Sequence, residues 1–187
     1  MTWTLPNVLT VARLIAAPLV LIVFLILPRP LADWAALVLF AGAAATDWID
    51  GYLARAWNQQ SKFGTMLDPI ADKAMVMIAL GMLLAITGPV LWLGLPTAAI
   101  LFREVFVSGL REFLGDTAGT LKVTKLAKWK TMVQMVAIAT LLASGALAAP
   151  VLVWIGGALM WLAAALTLMT GWDYFTKALP FLREEPR

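Results

Sequence analysis

Residues 31–50 read LADWAALVLFAGAAATDWID, a largely apolar run that closes on two carboxylates, Asp47 and Asp50. A helix of about 20 residues rises about 30 Å, the thickness of the hydrocarbon core of a bilayer. The stretch therefore reads as a membrane span with its terminal acids at one edge. Outward from it, comparable apolar stretches lie at 8–27, 69–86, 91–110, 131–148 and 151–171. They predict an all-α, polytopic membrane protein of six transmembrane helices, with 1–187 forming a single domain. The first stretch contains Arg13 and Pro18, which predicts a kinked helix whose N-terminal part is an interfacial segment. Its length and lack of a small-residue cleavage pattern do not fit a removable signal peptide.

Composition leads to the same class. Of 187 residues, 62 % are apolar and 13 % charged, against about 45–50 % and about 25 % in a soluble domain, so a soluble enzyme is excluded. The chain has no Cys and no His. That removes disulfides, thiolate nucleophiles, imidazole bases and the usual zinc sites, leaving carboxylates, Lys, Arg, hydroxyls or a hard cation held by oxygen. A net charge of +3 is too small to point to nucleic acid. The placement of the basic residues is more telling. Arg13, then Arg55 and Lys62, then Arg111, Lys122, Lys125, Lys128 and Lys130, then Lys177, Arg183 and Arg187 fall on one side, with Arg29 alone on the other. Cytoplasmic loops carry the excess of Lys and Arg, which puts both termini and the two long loops in the cytoplasm.

Asp47 and Asp50 close the second span, and Asp68 and Asp72 open the third. On helices, the i, i+3 and i, i+4 spacings place each pair on one stripe. The connection from Asp50 to Asp68 is long enough for an antiparallel hairpin that gathers both pairs at the cytoplasmic boundary. Four such charges repel strongly unless they bind cations or protons, and an oxygen-only ligand set favours Mg²⁺ or Mn²⁺. Two metals would suit phosphoryl transfer. Gly51 and Ala54 lie about 40° and 20° around the helix from Asp47 and leave a gap fit for a base or a diphosphate. Arg55 adds a fixed cation for phosphate oxygens. Gly64 permits a tight turn or close ligand approach before the third helix. Small residues also serve helix packing, and terminal acids also suit solvent or the helix dipole. Intramembrane carboxylates mark ion paths in transporters too, but there they sit near the bilayer centre and often in paired repeats. Here they cluster at one edge and no repeat is evident.

From Asp47 to Asp72 the sequence matches D-x2-D-G-x2-A-R-x8-G-x3-D-x3-D at every fixed position. It thereby resembles the CDP-alcohol phosphotransferases, over nearly the whole chain. Among them it is most similar to bacterial members that use glycerol 3-phosphate as acceptor, on LPNVLT at 5–10 with Arg13 and Pro18, FGTMLDPIADK at 63–73, Arg103-Glu104, Gly109-Leu110-Arg111, KWKT at 128–131 with Gln134, and GWDYF at 171–175. Ala127 departs from the Gly common in relatives.

The resemblance implies transfer of the phosphatidyl group from CDP-diacylglycerol to glycerol 3-phosphate with release of CMP. Inositol phosphate, serine or phosphatidylglycerol are the alternative acceptors. It implies that Asp47, Asp50 and Asp68 hold divalent metal, Mg²⁺ or Mn²⁺ and two per site, with Asp72 contributing to the second and serving as general base. Asn7, Thr10, Asp50, Gly51, Ala54, Arg55 and Gly64 would face the CDP group. It further implies a homodimer among membrane lipids of the bacterial cytoplasmic (inner) membrane, with the active site facing the cytoplasm. An acceptor phosphate dianion asks for several cations, and Arg103, Arg111, Lys128 and Lys130 are the candidates. Arg103 also has Glu104 beside it as a partner, and Lys122 and Lys125 are read equally as topology determinants touching anionic lipid.

Overall fold

The computed structural model describes residues 4–56, 61–115 and 125–182. They form six helices: α1 Leu5–Ile26, α2 Leu31–Ala56, α3 Lys62–Thr87, α4 Leu91–Leu114, α5 Lys125–Ala146 and α6 Pro150–Leu182. Each predicted span matches one helix. Wherever a helix outruns its apolar stretch by more than a residue, it does so at the end the sequence assigns to the cytoplasm. The added turns carry the polar motif residues, which continue the backbone ladder without belonging to the apolar run. Among the described residues four helices, α1, α3, α4 and α6, are long and apolar enough to cross a membrane. The described residues contain no strand, and the chain is an all-helical, polytopic membrane protein. α1 is one helix that continues through Pro18.

The chain divides into two compact units. The first comprises Met1–Pro89 and Ile138–Gly156. In it α1 packs along both α2 and α3, whereas among the described residues α2 and α3 touch each other only sparsely. Its core is rich in small side chains, among them Ala17, Ala32, Ala36, Ala71 and Ala79, which let helices approach closely. Arg29 forks onto Asp33 through Nε and Nη2 at 2.7 and 2.8 Å, and that hydrogen bond, against the opposing cost of burial, holds the guanidinium above its ordinary range. The one cation assigned to the opposite side thus carries its own counter-ion. Gly145 of α5, lacking a side chain, leaves room for this pair.

The second unit comprises Val90–Ala137 and Gly157–Arg187. Val107, Leu114, Tyr174 and Ala178 form a small core there, with Leu110 against it. Phe102 stacks on Phe106, and Phe106 and Trp172 both lean on Phe175. These aromatics line a cavity of about 520 Å³.

Candidate active site

Asn7, Thr10 and Arg13 recur every three residues along α1, so they share one stripe, and all three are buried. A polar stripe buried in an apolar helix needs partners, and it finds them on both neighbouring helices. Arg13 Nη1 donates to Asp47 Oδ1 of α2 at 2.5 Å. Thr10 Oγ1 lies 2.6 Å from Asp68 Oδ1 of α3 and 3.0 Å from the Pro6 carbonyl, two acceptors for one hydroxyl proton. Asn7 Oδ1 accepts from Ser61 Oγ at 2.8 Å. Ser61 is the N-cap of α3 and in turn accepts from the Gly64 N–H at 3.0 Å, satisfying one of the donors that a helix start leaves open.

Gly64 therefore does not form a turn ahead of the third helix. It lies buried in the first turn of α3, where a Cβ would stand 2.8 Å from Asn7 Oδ1. The absent side chain leaves room for Asn7 of α1. Asp72 follows Asp68 by four residues on α3 and is half-buried. Asp50, Gly51, Ala54 and Arg55 occupy the last turns of α2, but their side chains lie outside the described residues, as does that of Lys128. Among the described residues no three acids gather as one ligand group. The donors brought to α1 are nonetheless all hard oxygen, two carboxylates and a hydroxyl, and this chemistry fits Mg²⁺ or Mn²⁺. The side chain of Asp47 is 54 % exposed even with Arg13 on one of its oxygens.

The second unit brings together two of the expected acceptor cations. Glu104 Oε1 accepts from Arg103 Nη1 at 2.9 Å and from Lys130 Nζ at 2.5 Å, and all three side chains are largely buried. Arg103 lies against Gly171 of α6. Arg111 is exposed and rests over the Tyr174 ring, 5.3 Å from its centroid. Arg103 Nε on α4, Gln134 Oε1 on α5 and the Tyr174 hydroxyl on α6 are buried with no hydrogen-bond partner among the described residues. Groups of this kind call for a polar ligand or water.

Sequence reasoning missed two features. It gave Arg13 no part in the site, although its three-residue offset from Thr10 was a usable signal. It also passed over Ser61, whose place just before the first residue of α3 is that of an N-cap.

Residues 3–169 match the CDP-alcohol phosphatidyltransferase family. The chain belongs to this family. Among its relatives, the CDP-diacylglycerol–glycerol-3-phosphate 3-phosphatidyltransferase of Cereibacter sphaeroides is 54 % identical over 220 aligned positions, covering 99 % of this chain and all of that protein. Proteins of the same name from Pseudomonas fluorescens and Rickettsia bellii are 41 % and 44 % identical, covering 98 % and 91 % of this chain and 94 % and 93 % of theirs. In this CDP-alcohol phosphatidyltransferase, then, α1 carries the stripe that meets two aspartates of the family motif.

Proposed function

We propose that this chain transfers the phosphatidyl group of CDP-diacylglycerol to glycerol 3-phosphate, giving phosphatidylglycerophosphate and CMP. The observation that carries this reading is that Thr10 and Arg13, one turn apart on α1, hold the motif carboxylates Asp68 and Asp47 from two different helices. The names of the full-length relatives support glycerol 3-phosphate as acceptor.

The lipid donor has acyl tails that belong in the bilayer and a charged head that belongs in water. A site at the cytoplasmic ends of the helices meets both needs, and the basic residues support that orientation in the bacterial inner membrane. The six-span topology with both termini cytoplasmic belongs to the same reading. So does one domain over 1–187, supported by a family match that spans residues 3–169.

Asp47, Asp50, Asp68 and Asp72 would hold two divalent cations, Mg²⁺ or Mn²⁺, whose chemistry is to neutralise the diphosphate. Asn7, Thr10, Asp50, Gly51, Ala54, Arg55 and Gly64 would meet the CDP moiety. Asp72 accepts the proton of the acceptor hydroxyl as that oxygen bonds to the lipid-side phosphorus and the bond to CMP breaks. Positioning and charge stabilisation supply most of the acceleration. Arg103, Arg111, Lys128 and Lys130 would bind the acceptor's phosphate, and the unpartnered Arg103 Nε, Gln134 Oε1 and Tyr174 hydroxyl support a polar ligand there. The homodimer is carried by family resemblance.

The deciding experiment measures CMP release by the purified protein from CDP-diacylglycerol with each candidate acceptor, with and without chelator. Turnover with glycerol 3-phosphate that chelation stops is the expected result. Turnover with only another alcohol overturns the acceptor, and turnover indifferent to chelation overturns the metals.

A further inference from the structure

We infer that Arg13 is a positioning residue, which sets the carboxylate of Asp47 against that of Asp68 so that the two can serve one cation site. The inference rests on the metal reading above. A cation inside an apolar helix is expensive without a partner, and the Arg13 side chain is only 2 % exposed. Its partner Asp47 lies on α2. One turn earlier on the same stripe, Thr10 meets Asp68 of α3. Among the described residues α2 and α3 touch only sparsely while α1 packs along both, so α1 ties the two acids to one helix. Arg13 engages one oxygen of Asp47 and leaves the side chain half exposed. It fixes the carboxylate without covering it.

Two roles for such an arginine make opposite predictions. A buried cation that merely neutralises Asp47 opposes a dication at the same carboxylate, and its removal tightens metal binding. One that orients Asp47 favours the dication, and its removal weakens binding. Loss of residues that orient metal ligands typically costs about 10–100-fold in affinity.

The test titrates Mn²⁺ into the purified full-length protein in lipid nanodiscs, without substrate, and reads bound Mn²⁺ by electron paramagnetic resonance. Arg13→Gln is expected to weaken binding by about tenfold or more, and Arg13→Lys, which keeps the charge, to recover part of the loss. Turnover should fall in kcat with little change in KM for glycerol 3-phosphate. Unchanged or tighter Mn²⁺ binding in Arg13→Gln overturns the proposal. Should that variant fail to fold, Arg13→Lys and Thr10→Val take its place, and binding equal to the parent in both overturns it. A parent protein that binds no Mn²⁺ overturns the metal reading and this inference together. A parent that binds it, with unaffected variants, overturns only the role of Arg13.

Discussion

Arg13 and Asp47 stand 34 residues apart in the chain and meet through one oxygen, Nη1 to Oδ1 at 2.5 Å, the arginine buried and the aspartate half exposed. The pair joins the first helix to the carboxylate that opens the family motif. Together with the Thr10–Asp68 contact on the adjacent turn, it makes α1 a structural part of the proposed site.

Asp72 is the residue proposed to take the acceptor's proton. Asp72→Asn keeps the shape and the neutral hydrogen-bonding capacity but removes the base. CMP release should fall by at least about 10²-fold, the lower range for a lost general base, while binding of CDP-diacylglycerol by the purified protein is retained in part. Turnover at the parental rate would remove Asp72 from that role.

Arg111 lies exposed over Tyr174, and a cation–π contact of that kind contributes about 0.5–1 kcal/mol, so its loss leaves the fold nearly intact. Arg111→Ala should raise the KM for glycerol 3-phosphate and leave that for CDP-diacylglycerol unchanged. Steady-state kinetics with each substrate varied in turn checks this. A change confined to the lipid substrate would place Arg111 with the donor instead.

Glu104 is the shared counter-ion of Arg103 and Lys130. Breaking a buried ion pair by removing one partner costs about 3–5 kcal/mol, because the remaining charge stays buried. Glu104→Gln should therefore lower the thermal midpoint of the purified protein in detergent. Glycerol 3-phosphate should raise that midpoint more in the variant than in the parent, since its phosphate supplies an anion the two cations have lost. An equal ligand-induced shift in both proteins would mean that the phosphate does not meet this pair.

The helices and the motif were legible in the sequence because each depends on local spacing. Apolar runs of bilayer length locate the six helices, and the i, i+4 offset puts Asp68 and Asp72 on one stripe of α3. Long-range partnerships were not legible. Arg13 reads from sequence as a cation in an apolar helix, and only the way α1 lies along α2 gives it Asp47. Glu104 was read as one possible neighbour of Arg103, and the fold adds Lys130 from 26 residues away. Gly64 permits either a tight turn or a close approach of a ligand, and inside α3 its smallness admits Asn7. A residue type states what it allows, and the packing selects which allowance is used.

Gly64 also gives a stability test with an internal control. In an unobstructed helix, replacing Gly by Ala stabilises by about 1 kcal/mol. Gly42 in α2 has nothing within 4 Å of where a Cβ would stand, so Gly42→Ala should be neutral or stabilising. At Gly64 the same Cβ would come within 2.8 Å of Asn7 Oδ1 and 3.3 Å of Ser61 Oγ. Both atoms belong to the bond joining α1 to the cap of α3. Overpacking costs about 1–3 kcal/mol and a lost cap about 1 kcal/mol, which together outweigh the helix-propensity gain. Gly64→Ala should thus lower the thermal midpoint where Gly42→Ala does not, and Asn7→Ala combined with Gly64→Ala should be less damaging than the two single effects added, because the clash is gone. Simple additivity in that cycle would mean that Asn7 and Gly64 do not press on each other.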